Sequence, residues 1–157
     1  MISSNLCGCK PVEGCYTDLY LHNAHDGLGK PIMSCSKSEI QMYAMDLTCV
    51  YLEKCGLKVV GLDWKSKSGG ADIECREGRW GVLVEVRPSV VSGGRYEDPA
   101  VINVSTKSRK KYHDSTLSYF AKHASLDGVR YDVIGMRIDS GHEAKLRHIV
   151  GAFGYTR

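Results

Sequence analysis

No apolar run in the 157-residue chain approaches the ~18 residues of a membrane span, which excludes a helical anchor within it. Met1 to Lys10 lack the basic start and apolar core of a secretory signal, so a cytoplasmic setting without membrane contact is expected. Neither sign of charge dominates. Lys and Arg number 21 against 18 Asp and Glu, and the net +3 suits a polyanionic partner without requiring one. There is no internal repeat or low-complexity tract. A Gly-Lys-Ser/Thr phosphate cradle is also missing, because the glycines of "SGGRYED", Ser92 to Asp98, lack that ending.

Cysteine, by contrast, is plentiful. Seven is an odd number, and in a reducing compartment they are expected as thiols. Cys49, Cys55 and Cys75 fall inside periodic segments and read as small buried apolar residues. Cys7, Cys9 and Cys15, in "CGCKPVEGC", with Cys35 further on, could supply four thiols to zinc, with His22 and His25 nearby. The C-x-C spacing and the distant fourth thiol differ from the usual pairs separated by two residues. A loosely docked extension is the competing reading.

Two parts are expected: an irregular, Cys-containing extension over 1–35, with at most short elements around Tyr16 to His22, and one α/β domain over 36–157. "SKSEIQMYAMDLTCVYLEKCG" reads as a helix. Ser36 and Glu39 have capping-box spacing, Ile40, Tyr43, Ala44, Leu47 and Tyr51 form a stripe, and Gly56 closes it. "LKVVGLDW" reads as a strand, "KSKSGG" as a turn and "PSVVSGGRYEDPAV" as a loop. "TKSRKKYHDSTLSYFAKHA" is a second helix with Leu117, Phe120, Ala121 and Ala124 inward. "VRYDVIGMRI" is a further strand, and "EAKLRHIVGAFG" reads as a short closing helix. The order α-β-β-β-α-β gives an α/β fold, a mixed β-sheet flanked by helices.

The stretch "GGADIECREGRWGVLVEVRP", Gly69 to Pro88, contains an alternating hairpin with Asp72, Glu74, Glu85 and Arg87 in its middle. A two-residue turn at Gly78-Arg79 sets Glu77 against Trp80 and, in the same register, Asp72 against Glu85. One face is then apolar, from Ala71, Ile73 and Cys75 to Val82, Val84 and Val86. Directly opposed side chains have Cβ atoms about 4.5–5.5 Å apart, where like charges repel. Two such carboxylates want a proton or a cation between them, and Mg²⁺ typically binds through one or two carboxylates plus phosphates. The other reading is the wet face of an antiparallel sheet.

These residues carry a resemblance. "YLEKCG" ends the first helix, "DW" precedes the turn, and "GGADIE" and "VLVEVR" form the hairpin. Lys107, "RYDVIGM" and "RHIVGAF" follow in order. The set resembles the YraN-type family of small bacterial predicted endonucleases, of the restriction-endonuclease-like, PD-(D/E)xK superfamily, over about Glu39 to Phe153. The resemblance implies a DNA endonuclease whose Asp72 and Glu85 hold Mg²⁺ or Mn²⁺, with the Val86 carbonyl as a further ligand. The metal would polarise the phosphate and activate a water.

Three positions depart from the pattern. Arg87 stands where Lys would orient that water; Arg stays protonated, so it can clamp phosphate but not act as a base. Gly70 replaces an acid two before Asp72. The helix acid falls at Met45, leaving neighbouring Asp46 as its substitute, while Glu74 could replace a lost metal ligand. DNA contacts are assigned to Lys107, Arg109, Lys110 and Lys111 of "TKSRKKY", to Lys65, and to Arg95 in the glycine loop. For the helix cluster a solvated face fits equally well. His148 reads as a structural histidine and Asp132 as the ion-pair partner of Arg130. A non-catalytic nucleic-acid-binding module that keeps the nuclease scaffold is the alternative function. A homodimer would suit cleavage of two strands, and a protein-interaction role for the Cys-bearing extension is the third reading.

Overall fold

The capping-box spacing at Ser36 predicts a helix start, and one is found there. In the computed structural model, which describes residues 16–22, 34–91, 105–139 and 143–156, helix α1 spans Lys37–Lys54 with Ser36 as its N-cap. The Glu39 N–H donates to Ser36 Oγ at 3.2 Å, and the Ser36 N–H donates to Glu39 Oε2 at 2.7 Å. Both donors would otherwise be unsatisfied at the helix end. Gly56, at φ +89°, ends the helix as only glycine does cheaply. Ser36→Ala should therefore cost about 1 kcal/mol, read as a lower urea midpoint with an unchanged slope.

Strands β2 (Lys58–Ser66), β3 (Gly69–Glu77) and β4 (Trp80–Val91) follow, then helix α2 (Thr106–Lys122) and strand β5 (Gly128–Asp139). The expected α-β-β-β-α-β order is present. Strand β1 (Tyr16–His22) precedes it and β6 (Glu143–Thr156) follows it. The sheet runs β1-β6-β5-β4-β3-β2. Only β4 and β5 pair in parallel, joined by the α2 crossover, so the sheet is mixed. β4 continues through Pro88 beside β5, where a loop is expected from sequence.

Successive residues of the central strands feed opposite layers. Val82, Val84 and Ile134 pack with Ala44, Tyr51 and Leu52 of α1, whereas Leu83, Tyr131 and Val133 pack with Tyr112, Tyr119 and Phe120 of α2. Cys75 is buried in the α1 layer, where burial pushes its thiol up to about 12, and Cys35, Cys49 and Cys55 pack partly buried against it. Among the described residues, no helix is long and apolar enough to cross a membrane.

Two expectations need correction. The closing helix is strand β6, with Ala144, Leu146, His148 and Val150 buried in alternation. Polar His148 in the inward row hid that period of two. The short element expected around Tyr16 to His22 is present as β1, which pairs antiparallel with β6 from Tyr16↔Ile149 to His22↔Glu143. The strand satisfies backbone groups that an open edge would leave unpaired. The rest of the extension, with Cys7, Cys9, Cys15 and His25, and the loop with Arg95, lie outside the described residues. Finally, the inner face of α2 is Tyr112, Ser115, Thr116, Tyr119 and Phe120, while Ala121 and Ala124 are exposed. Large rings bury more area than alanine methyls and set the helix rotation.

Asp132 and His148 are wholly buried under α1. Asp132 accepts from Arg130 Nε at 3.1 Å and from the Gly151 N–H at 2.9 Å, and its Oδ2 lies 2.8 Å from His148 Nε2. His148 Nδ1 is 3.1 Å from the Tyr51 hydroxyl, and Arg130 continues to Glu77 at 2.6 Å. The expected Arg130–Asp132 ion pair is thus one link of a chain that ties α1 to three strands.

Candidate active site at the strand fork

The hairpin adopts the register of a Gly78-Arg79 turn. Glu77 pairs with Trp80, Cys75 with Val82 and Ile73 with Val84, and Gly78 has the positive φ of +59° that a tight turn uses. After Ile73–Val84 the backbone ladder stops. There the Asp72 side chain takes over, its Oδ2 accepting the Val86 N–H at 2.7 Å. The strands therefore fork just beyond the Ile73–Val84 pair, at Asp72 and Glu85, which line one cleft.

On the other side of β3, Asp63 adopts φ +57°, a conformation Asp tolerates better than most residues. The β2–β3 pairing passes from Leu62↔Ile73 to Trp64↔Ala71, with Asp63 between the two pairs. Ile73 faces the α1 layer, yet Ala71 and Trp64 pack in the α2 layer. The continuous apolar face expected from Ala71 to Val86 is thus broken at Ala71 by the local twist. The acidic face is no open wet surface either: α2 covers it, and the Glu85 side chain is only 18% exposed.

A cleft of about 360 Å³ opens at the fork, lined by Asp63, Trp64, Lys65, Asp72, Glu85, Lys111 and Tyr131, with the backbone of Gly69 and Gly70. Glu85 is fully engaged. Lys111 Nζ donates to its Oε1 at 2.8 Å; the Tyr112 hydroxyl donates to Oε2 at 2.5 Å, and Arg87 Nε to the same oxygen at 3.2 Å. Arg87 also donates to the Tyr112 oxygen at 2.5 Å and to Ser108 Oγ at 3.4 Å. Tyr131 stacks on Tyr112 at 4.3 Å and donates to the Gly70 carbonyl at 2.6 Å, steadying the start of β3.

The two acids are pushed apart in acidity. Burial alone would raise Glu85, but the hydrogen bonds from Lys111 and Tyr112 and the charges of Lys111 and Arg87 outweigh it and hold the carboxyl below its usual range. Asp72 is raised, chiefly by burial and further by the Glu85 charge, against the opposing Val86 hydrogen bond. Burial and the Glu85 carboxylate likewise push the Tyr112 hydroxyl up, keeping it a donor. Burial and neighbouring charge thus act on the two carboxyls with opposite net effect.

Asp72, Glu85, Lys111 and Lys65 converge on the cleft, with Arg87 behind Glu85. Glu74 does not join them: its carboxylate lies against Gly61, where a Cβ would come within 2.3 Å of Oε2. Asp46 is exposed on α1 and is not among the cleft residues. The α1 residue that reaches the fork is Gln41, whose Nε2 donates to the Val86 carbonyl at 3.3 Å. The missing acid at Gly70 could not simply be restored, since a Cβ there would meet the Trp64 carbonyl at 2.6 Å. Lys107, Arg109 and Lys110 are exposed around the first turns of α2, and Lys110 pairs with Asp114 at 2.6 Å.

Sequence reasoning missed Gln41, Tyr112 and Tyr131. The signal for Tyr112 was available in the spacing of Tyr112, Ser115, Thr116 and Tyr119 down one face of α2. Among the described residues no three acid, thiol or imidazole groups converge as a metal cage. Asp72 and Glu85 do fit a hard divalent cation as a pair. Both offer oxygen, their charges repel, and Asp72 Oδ1 has no donor among the described residues.

A mixed sheet between two helices, with an acidic pair where two adjacent strands separate, defines an α/β protein with a restriction-endonuclease-like core. The chain belongs to the uncharacterised protein family UPF0102, whose family model matches residues 45–136. It is 32% identical over 110 residues to a UPF0102 protein of Rhodococcus jostii, covering 69% of this chain and 90% of the relative. A UPF0102 protein of Geobacter metallireducens is 30% identical over 122 residues, covering 77% and 97%. The YraN-type resemblance is met at the level of the family. The matched span holds the fork and most of β5 but neither β1 nor β6.

Proposed function

We propose that this protein is a metal-dependent nuclease acting on phosphodiester bonds of DNA, with Asp72 and Glu85 as ligands of Mg²⁺ or Mn²⁺. The facing carboxylates at the fork, in a cleft bordered by two lysines, carry this reading. The bound ion would supply Lewis-acid polarisation of the phosphate and a water of lowered pKa. The chain's own groups do the rest. Tyr112 and Arg87 fix the Glu85 carboxylate from behind, Val86 fixes Asp72, and Lys65 and Lys111 present positive charge to the phosphodiester backbone. Arg87, wedged among Glu85, Tyr112 and Ser108, acts as a positioning residue more readily than as a phosphate clamp.

The test is incubation of the purified protein with branched, single-stranded and duplex DNA plus Mg²⁺ or Mn²⁺. Cleavage is expected, with loss of about a thousandfold or more in Asp72→Asn, the scale of several kcal/mol of lost charge stabilisation. Undiminished cutting by that variant overturns the assignment. The saturation of both Glu85 oxygens favours a second reading, a nucleic-acid-binding module that keeps the scaffold without turnover. DNA binding that weakens steeply with salt, with no cutting under either metal, selects it.

A further inference from the structure

The two oxygens of Glu85 are held differently. Oε2 is gripped from behind by Tyr112 and Arg87, which do not line the cleft, and these two also bond to one another. Oε1 has one partner, Lys111 Nζ, at 2.8 Å on the cleft side. The Lys111 side chain is 44% exposed, against 18% for Glu85. An ion pair with one such partly solvated member is worth little. Lysine is a compact charge on a flexible four-carbon stem, so it can leave one anion for another without breaking a fork of bonds, whereas Arg87 cannot. Across the cleft, Asp72 has no cation of its own among the described residues. Its backbone donor is Val86, and the charges of Glu85 and Asp63 act on it against that of Lys111.

We infer that Lys111 is a placeholder cation, which neutralises Glu85 in the resting site and is released to a nucleic-acid phosphate when a divalent ion engages that carboxylate. This rests on the metal-dependent reading above and adds a residue to it. In the resting site Lys111 supplies positive charge that offsets part of the repulsion between two half-buried acids. Once Glu85 is otherwise engaged, the same amine stands at the cleft mouth with three free donors, beside Lys65.

Calorimetric titration with Mn²⁺ in the absence of DNA separates this from a fixed structural pair. Lys111→Gln removes the competitor and should bind Mn²⁺ about fivefold more tightly than the unmodified protein, the value of a pair so exposed. Lys111→Arg should bind it more weakly, because a guanidinium grips a carboxylate with two bonds. Lys122→Gln, an equal charge change at the far end of α2, should leave the affinity unchanged. Fluorescence anisotropy with duplex DNA should show Lys111→Gln weakened severalfold with Mn²⁺ present and unaltered without it. Equal or weaker Mn²⁺ binding by Lys111→Gln overturns the placeholder role, and if the unmodified protein still cleaves, the nuclease reading survives that result. The expected Mn²⁺ pattern without cleavage leaves the placeholder standing and removes turnover. No Mn²⁺ binding by any variant ends both.

Discussion

Asp132→Ala should cost about 3–5 kcal/mol of folding stability, the usual consequence of removing one partner from a buried charged network. The carboxylate is wholly inaccessible and receives donors from three directions: Arg130, the Gly151 backbone and His148 Nε2. Its loss leaves His148, itself wholly buried, with the Tyr51 hydroxyl, and Arg130 with Glu77. Tyr51→Phe, which deletes only the hydroxyl at the far end of the chain, should cost about 1 kcal/mol. Urea unfolding followed by circular dichroism measures both. Similar losses for the two variants would mean that the network relaxes around a missing centre and is no keystone. Asp132 is not among the residues lining the cleft, and its alanine variant should act through the abundance of folded protein.

The network also explains why the end of the chain was misread. A strand that carries histidine in its buried row looks amphipathic with a helical period, and the acid that satisfies His148 lies sixteen positions away on β5. Local pattern cannot supply that partner. Where local rules suffice, the reading holds. Ser36 and Glu39 close their box within one turn, and Gly78 fixes a turn whose register follows arithmetically. β1 escaped a firm assignment because its reason to exist is the unpaired edge of a strand over a hundred residues later.

The acidic pair at the fork was legible for the same reason as the turn. What surrounds it was not. Ala71 leaves the expected face because Asp63, on a different strand, takes a left-handed conformation. The expected α2 stripe of Leu117, Phe120, Ala121 and Ala124 holds at Phe120, but Tyr112, whose hydroxyl donates to Glu85, and Tyr119 set the rotation of the helix. Asp46 was favoured by sequence proximity to an aligned position, but one turn earlier Gln41 is the residue whose side chain reaches the fork.

On the metal-dependent reading proposed above, Asp72→Asn and Glu85→Gln should both lose cleavage by about a thousandfold or more, yet shift stability in opposite directions at neutral pH. Glu85 titrates below its ordinary range in the fold, so its stabilisation is in place above the usual carboxylate pKa and is lost as pH falls through the lowered value. Glu85→Gln should then cost about 2 kcal/mol at pH 7, the worth of hydrogen bonds to a charged group. Asp72 titrates above its ordinary range, so its favourable contribution is present at acid pH and is lost as pH rises through the raised value. At pH 7 its ionised form is a net burden. Asparagine keeps an oxygen for the Val86 N–H and removes the repulsion with Glu85, so Asp72→Asn should stabilise by up to about 1 kcal/mol, as relief of a strained functional site does. Thermal midpoints across pH test this directly: the two variants should diverge from the parent in opposite senses at neutral pH and converge on it as both carboxyls protonate. Destabilisation of Asp72→Asn at neutral pH would mean that Asp72 serves the fold through Val86 alone. The opposition between the acids would then not be what holds the fork ready for a cation.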